Sequence, residues 1–140
     1  MTARLEHANL TVPDIDAAIA FLQVLEPAFV VRHDSGRTGP YRWAHIGTKT
    51  SYIALEEPHE DNPAAAMSQR YADFGINHLG WVVKDVAATC ARLDAAGYKQ
   101  GFISEDHRFR IRKYYLDSAG FEWELVQYLT DDPQEQASYD

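Results

Sequence analysis

The stretches HANLTVPDIDAA, residues 7–18, and HLGWVVKDVAAT, residues 78–89, decide the fold because they are two copies of one pattern. The aligned pairs include His7 with His78, Val12 with Val83 and Asp14 with Asp85. The copies begin about half a chain length apart in a sequence of 140 residues, which therefore divides into two comparable modules. One internal match indicates a single duplication rather than a long array of repeats.

Within each module the hydrophobic period changes in the same order. In the first copy, Leu10 and Val12 alternate with polar residues, which predicts a half-buried strand. Asp14 then precedes apolar residues at helical spacing and can cap a helix. Three short strand-like runs follow each helix: Phe29 to Arg32, Tyr41 to Ile46 and Ser51 to Glu57, then Lys99 to Ser104, Phe109 to Leu116 and Phe121 to Tyr128. We therefore predict an α+β fold of two tandem βαβββ modules.

The module boundaries follow from these runs. We place module one at residues 4–58, a polar linker at 59–75 and module two at 76–129, all within a single domain 1–140. The remaining acidic tail, 130–140, is interpreted as a frayed terminus without function.

Composition excludes several classes of protein. Apolar residues make up 46% and charged residues 24% of the chain, as in soluble globular domains. No apolar run is long enough for a membrane helix and no signal peptide precedes the first strand, so we expect a cytoplasmic protein. The net charge of −8 repels phosphates and anionic lipids, so neither nucleic acid nor a membrane is an expected partner. The single cysteine, Cys90, excludes an internal disulfide.

Strand parity places three metal-capable side chains on corresponding faces. In the last strand of module two, Trp123 and Leu125 form an apolar face and Glu124 lies on the opposite one. By the same alternation, His7 and His78 lie opposite the apolar residues of their strands. Imidazole and carboxylate groups are common metal ligands, so a metal site forms if these faces meet in a cleft. The alternative is that both histidines are ordinary surface residues.

The duplicated βαβββ module has a histidine at the start of the first strand of each half and a glutamate in the last strand. In these features the chain resembles the vicinal oxygen chelate superfamily, which includes glyoxalase I, extradiol dioxygenases, epimerases and antibiotic-resistance proteins. The resemblance covers about residues 4–129. It implies a curved mixed sheet around a cleft that binds a divalent metal ion. By position, the implied metal ligands are His7, His78 and Glu124.

The resemblance leaves a fourth ligand open. Ala54 falls where glyoxalase I has a coordinating side chain, and alanine cannot coordinate. Glu56 lies on the same strand face and is an additional candidate only if the register differs. Two histidines and one carboxylate form the facial arrangement of non-haem Fe(II) enzymes, so Fe(II) is the favoured cofactor. Mn, Ni, Zn and Mg are the alternatives.

A second pattern is similar to the signature of extradiol dioxygenases. The run is His107-RFRIRK-Tyr114-YL-Asp117-SA-Gly120-FEW-Glu124. Lys113 and Ser118 depart from the signature, which has an apolar residue and a proline at those places. The resemblance implies that His107 accepts and returns a proton. It also implies that Tyr114 donates a hydrogen bond to an oxyanion.

Arginines alternate along the same strand. Arg110 and Arg112 share parity with Tyr114, whereas Phe109 and Ile111 have the opposite parity and would pack under a helix. If the arginines line the cleft, they favour an anionic substrate. The alternative is a solvated edge strand, whose charges prevent pairing with other chains.

Three functions remain open. The first is oxidative cleavage of a catechol-like, anionic substrate by an extradiol-dioxygenase-like enzyme. The second is a glyoxalase-like lyase, isomerase or epimerase that acts through a metal-stabilised enediolate, for which Glu56 or Glu122 would supply the base. The third is a non-catalytic protein that binds a small molecule such as an antibiotic. We expect a homodimer, because small sheets with open edges gain stability by pairing.

Overall fold

Two βαβββ units follow one another along the chain in the computed structural model, which describes residues 4–59, 69–72 and 74–139. The units span Met1–Met67 and Ser68–Asp140, so their boundary falls within the expected linker, most of which lies outside the described residues. Within the described residues, no helix has the length and apolar character needed to cross a membrane.

The first unit is a four-stranded mixed sheet with one helix. Its elements are β1 (His7–Thr11), α1 (Ile15–Leu25), β2 (Val30–Asp34), β3 (Trp43–Gly47) and β4 (Tyr52–Glu56). The strand order is β1-β4-β3-β2, with β1 parallel to β4 and the other pairs antiparallel. Asp14 caps α1 by accepting a hydrogen bond from the Ala17 backbone N–H at 3.1 Å, as the sequence predicts. The helix contributes Ile15, Phe21, Leu22 and Leu25 to the core, where Ile46 and Leu55 of the sheet are also buried.

The second unit repeats this arrangement and adds a short terminal helix. Its elements are β5 (His78–Val82), α2 (Val86–Ala95), β6 (Lys99–Gln100), β7 (Arg110–Leu116), β8 (Glu122–Tyr128) and α3 (Pro133–Gln136). The strand order is β5-β8-β7-β6, with the same parallel and antiparallel senses as in the first unit. Asp85 caps α2 through the Ala88 backbone N–H at 2.9 Å. The α+β fold with two tandem βαβββ modules is therefore confirmed.

A tight turn sets the start of β8. The Asp117 carboxylate is buried and accepts hydrogen bonds from the backbone N–H groups of Ala119 and Phe121, each at 2.9 Å. Its second oxygen accepts from the Trp123 indole N–H at 3.0 Å. Gly120 adopts φ 84, in the left-handed region that glycine tolerates best. The turn therefore fixes where β8 begins, and with it the position of Glu124.

Two sequence expectations fail in the second unit. Strand β6 ends at Gln100 rather than at Ser104, because the Phe102 N–H leaves the strand ladder and donates to Glu122 Oε2 at 3.0 Å. Ile111 does not pack under a helix and is 38% exposed. Ile111 nevertheless lies on the predicted, helix-facing side of the sheet. Tyr115, on the same side of β7, donates its hydroxyl proton to Asp94 of α2 at 2.7 Å. The contact with α2 lies at the Tyr115 end of β7.

The tail 130–140 is not a frayed terminus over its described residues. Asp132 caps α3, and the buried Arg110 guanidinium donates to the carbonyls of Gln136 at 3.1 Å and Ser138 at 2.9 Å. Arg110 is therefore committed to the C-terminal segment, which corrects the expectation that it lines a cleft for an anionic substrate. The physical reason is that exposed C-terminal carbonyls attract a cation with several donors.

Candidate functional site

His78 and Glu124 come together on one face of the second sheet. The register pairs His78 with Glu122 and Gly80 with Glu124, so the two side chains lie on neighbouring strands. His78 Nε2 is 3.1 Å from Glu124 Oε2, and the two side chains are 30% and 15% exposed. Cross-strand partners share a face of a sheet, and Trp123 pairs with Tyr115 on the face toward α2. The His78 and Glu124 pair is therefore on the face opposite the helix, as parity predicts.

A second layer of hydrogen bonds holds the His78 ring. The Tyr71 hydroxyl is 3.1 Å from His78 Nδ1 and donates to Glu122 Oε1 at 3.0 Å. Tyr71 has φ 63, which is uncommon for a residue with a side chain, and its backbone N–H donates to Asn77 Oδ1 at 2.7 Å. Such strain persists where surrounding contacts impose it. The turn at Tyr71 therefore serves to bring its hydroxyl to His78 and Glu122.

Counting protons determines which His78 nitrogen is free. The hydroxyl of Tyr71 has one proton, and it goes to Glu122 because a carboxylate only accepts. His78 Nδ1 must therefore donate to the Tyr71 oxygen, and in a neutral imidazole this leaves Nε2 with a bare lone pair. That lone pair faces Glu124 Oε2, which is also an acceptor. Two acceptors in contact repel unless a proton or a metal ion lies between them.

The donor set fits a divalent metal ion. Nitrogen and oxygen ligands bind such ions at about 2.1 Å, so two neighbouring ligands lie about 3.4 Å apart in a tetrahedral site and, at the right angles of an octahedral site, about 3.0 Å apart. The observed separation of 3.1 Å between Nε2 and Oε2 lies between these values. A hydrogen-bonded Nδ1 with Nε2 directed to the metal is also the usual arrangement of a histidine ligand.

Tyr114 supports Glu124 from the neighbouring strand. Strand pairing places Tyr114 opposite Glu124, and the Tyr114 ring meets the His78 ring edge-on at 5.5 Å. Burial, followed by the hydrogen bond to the Glu124 carboxylate, raises the pKa of Tyr114 to about 12. The phenol therefore stays protonated at neutral pH and donates to Glu124. This contact differs from the sequence expectation, in which the hydroxyl is aimed at an oxyanion of the substrate.

Glu122 is a buried carboxylate with both oxygens engaged. Oε1 accepts from the Tyr71 hydroxyl and Oε2 accepts from the Phe102 N–H, each at 3.0 Å. A Cβ atom on Gly101 would lie 2.5 Å from Oε2, so a glycine at this position lets the carboxylate approach the backbone. Glu122 is therefore placed to orient Tyr71 rather than to move a proton.

The first unit positions His7 in a comparable way. His7 Nδ1 is 3.3 Å from Glu6 Oε2, and the ring stacks on Tyr52 with centroids 4.8 Å apart. Within the part of the chain that the structure describes, His7 Nε2 has no hydrogen-bond partner. Both histidines thus use Nδ1 for a hydrogen-bond partner, while His78 Nε2 contacts the Glu124 carboxylate.

Strand register accounts for Ala54 and Glu56. His7 pairs with Tyr52 as His78 pairs with Glu122, so Ala54 in β4 is the counterpart of Glu124 in β8. Glu56 lies one residue pair further along that face. Its carboxylate accepts from Asn9 Nδ2 at 2.9 Å and contacts His59 Nε2 at 2.9 Å, and these two hydrogen bonds lower its pKa.

The remaining candidates lie at the start of β7. His107 forms an isolated bridge with Arg110, and its Nδ1 accepts from the Phe109 N–H at 3.2 Å. The backbone of Arg110 is about 13 Å along the strand from that of Tyr114. Arg112 Nη2 donates to the Glu105 carbonyl at 3.5 Å. Among the described residues, no group of three or more His, Cys, Asp or Glu side chains is arranged so that it could hold a metal ion.

Sequence reasoning missed Tyr71. It lies in a segment interpreted as a linker, seven residues before His78 and 51 before Glu122, and no hydrophobic pattern in that segment indicates a contact with either residue. The sequence signals this role only by a tyrosine shortly before β5, the strand that begins at His78.

Comparison with known proteins identifies the family. The model of the Glyoxalase/Bleomycin resistance protein/Dioxygenase superfamily matches residues 4–125. A glyoxalase family protein from Bacillus cereus superposes with a TM-score of 0.74 at 17% identity, covering 93% of this chain and 97% of that one. The fosfomycin resistance protein FosX from Listeria monocytogenes, solved with Mn(II) and sulfate ion, gives 0.70 at 18% identity, covering 99% and 100%. No curated protein matches significantly.

The family match covers most of the chain and agrees with the duplicated fold and with the resemblance noted in the sequence. The chain therefore belongs to the glyoxalase/bleomycin resistance protein/dioxygenase superfamily, also called the vicinal oxygen chelate superfamily.

Proposed function

We propose that this protein is a metal-dependent enzyme that acts on a small substrate with neighbouring oxygen atoms, and that His7, His78 and Glu124 bind the metal. The observation that carries the proposal is the 3.1 Å contact between His78 Nε2 and Glu124 Oε2, with His78 Nδ1 held by Tyr71. When bound, a divalent ion would act as a Lewis acid on the substrate oxygens and favour deprotonation of one of them.

The side chains around these ligands have distinct tasks. Tyr71 and Glu122 keep the His78 ring oriented, and Tyr114 holds the Glu124 carboxylate through its hydroxyl proton. Phe102 packs edge-on against Tyr114, with ring centroids 5.4 Å apart. Oriented ligands lose less entropy when they bind, so this second layer strengthens metal binding.

Extradiol-type oxidative cleavage of a catechol-like substrate is the reaction we favour. The counterpart of Glu124 in the first unit is Ala54, so a centre with three protein ligands keeps open positions for substrate and O₂. A lyase or isomerase needs a carboxylate free to move a proton. Glu56 and Glu122, the two candidates for that base, are both engaged in hydrogen bonds. His107 remains the proposed proton acceptor.

The test combines metal content with oxygen uptake. Protein purified without oxygen and loaded with Fe(II) is expected to hold one ion per chain and to consume one O₂ per catechol cleaved. An oxygen electrode and the absorbance of ring-cleaved products measure the reaction across a set of catechols. Bound metal without oxygen uptake on any of them would contradict the dioxygenase proposal while leaving the metal site in place.

Fosfomycin resistance is the second candidate function. It is favoured by the similarity to the FosX protein from Listeria monocytogenes, which was solved with Mn(II). Incubation of the Mn(II)-loaded protein with fosfomycin, followed by ³¹P NMR, separates the two candidates. Loss of the fosfomycin signal without any oxygen uptake on catechols would favour the resistance function.

Substitution of Tyr71 by phenylalanine tests the second layer. Tyr71→Phe removes the oxygen that accepts from His78 Nδ1 and leaves the ring in place. Loss of such an outer partner weakens metal binding by about tenfold or more. Competition with a fluorescent chelator measures the affinity, and ¹⁵N NMR of the imidazole shows whether the Nδ1–H tautomer is lost.

Tyr139→Phe is the matched control, because Tyr139 is exposed and its ring contact with Arg110 is retained in phenylalanine. It should bind metal like the unmodified protein. Equal metal affinity and an unchanged tautomer in Tyr71→Phe would remove Tyr71 from the site.

A further inference from the structure

The first sheet presents a row of aromatic and imidazole rings on the face that carries His7. The ring row consists of His7, Tyr52, His45, Trp43 and His33. Neighbouring centroids are 4.8 Å apart for His7 and Tyr52, 4.8 Å for Tyr52 and His45, 5.0 Å for His45 and Trp43, and 4.4 Å for Trp43 and His33. Side chains that stand on a sheet and stack on one another turn their edges outward. Ring edges carry the N–H and O–H groups and the positive part of the quadrupole, and both attract anions.

A bulge brings an arginine onto the same face. The register of β2 against β3 shifts between Val31 and His33, which leaves Arg32 as the extra residue. Adjacent residues in a regular strand point to opposite faces, but a bulge redirects one of them. Accordingly, Arg32 Cζ lies 4.1 Å from the centroid of the Tyr52 ring, while His33 stacks on Trp43. Gly47, the β3 residue that pairs with Tyr52, has no side chain to block this reach.

The Arg32 guanidinium is held in place but has no anionic partner. Among the described residues it makes no hydrogen bond or ion pair, and its contact is with the face of Tyr52. Arg42 in the same unit is different, since it donates two hydrogen bonds to the Asp34 carboxylate at 3.0 and 2.7 Å. Stacking on an aromatic ring leaves the N–H groups at the edge of a guanidinium free.

Two carboxylates close to the ring row already have partners. Glu6 contacts His7 Nδ1 at 3.3 Å. Glu56 lies near His45, but its oxygens are engaged by Asn9 and His59. Burial lowers the pKa of His45, and the charge of Arg32 lowers it further. A chain with a net charge of −8 thus keeps an unneutralised cation on a face rich in hydrogen-bond donors.

We propose that Arg32, with the ring edges of Tyr52 and His45, binds the carboxylate or phosphonate group of a small organic acid. The guanidinium fork matches two oxygens of such a group, and Tyr52 fixes the plane of the fork. This inference rests on the proposed function, because it names the substrate class of the same enzyme. It also gives an arginine of the first unit the role expected of Arg110, while the same expectation for Arg112 stays a prediction.

Binding of three matched probes tests the inference in the full-length protein. Benzoate and phenylphosphonate carry the two kinds of oxyanion, and benzamide is their uncharged counterpart. NMR titration is expected to show at least one acid binding about tenfold more tightly than benzamide, with shifts in the ring signals of Tyr52 and His45. The stronger of the two acids identifies the kind of oxyanion. Arg32→Gln should remove this preference, whereas Arg37→Gln, which loses the same charge from a guanidinium paired with Glu57, should keep it.

Several results would overturn the inference. Equal binding of all three probes, unchanged acid binding in Arg32→Gln, or equal weakening in both variants would each exclude a specific role for Arg32. The titration is repeated after removal of metal with EDTA and is expected to give the same preference. Preserved acid binding in a protein that never binds metal would contradict the proposed function alone. Normal metal binding without any preference for acids would contradict this inference alone.

Discussion

His78→Ala is expected to abolish metal binding without unfolding the protein. The substitution removes a proposed ligand and leaves the core residues on the α2 side of the sheet unchanged, including Trp123 and Leu125. Two remaining ligands hold a divalent ion far less tightly than three, so the metal content should fall from about one ion per chain to near zero. Metal analysis after gel filtration measures the content, and circular dichroism measures the fold.

His33→Ala provides the control for this result. His33 is a histidine of the first unit that stacks on Trp43 and is not a proposed ligand. It should retain the full metal content. Stoichiometric metal in His78→Ala would refute the ligand assignment, and loss of metal from both variants would indicate a general effect of removing a histidine.

Asp117→Ala is expected to produce the largest loss of stability among single substitutions of polar residues in the second unit. Three donors lose their acceptor: the backbone N–H groups of Ala119 and Phe121 and the indole N–H of Trp123. The indole is buried, so water cannot replace the lost partner. The free energy of unfolding should fall by about 3 kcal/mol, a large share of the stability of a small domain. Urea denaturation followed by tryptophan fluorescence measures this change.

Asp117→Asn and Asp131→Ala refine the test. Asparagine keeps one side-chain oxygen for the two backbone donors. The Trp123 indole then faces either the N–H₂ group, which cannot accept, or the oxygen that the backbone donors already share, so an intermediate loss of stability is expected. Asp131 is exposed, and its removal should change stability by less than about 0.5 kcal/mol. An unfolding midpoint for Asp117→Ala equal to that of the unmodified protein would show that the turn does not depend on this carboxylate.

Local patterns in the sequence predict most of the fold. The period-two and helical stretches, together with Asp14 and Asp85 as caps, depend on residues close in the chain, and the structure agrees with them. The location of His78 and Glu124 on the sheet face opposite the helix also follows from strand parity. Parity is local, because it depends only on alternation along each strand.

The features that the sequence analysis did not predict depend on contacts between residues distant in the chain. Strand β6 is short because Phe102 donates to Glu122, twenty residues later. Arg32 reaches the ring row through a bulge, which shifts the register by one residue and leaves no mark in the hydrophobic pattern. Tyr71 reaches His78 through a left-handed turn stabilised by Asn77. Such features require the paired strands and turns to be known first.

Gene duplication begins with two identical halves, which later can take different side chains at equivalent positions. In this protein the two copies still share strand order and histidine placement, but their last strands have diverged, among other places at the position of Glu124. One copy has an acid at that position and the other has a methyl group, Ala54. Because this carboxylate occurs in one unit alone, the two equivalent sheet faces differ by one negative charge at this position.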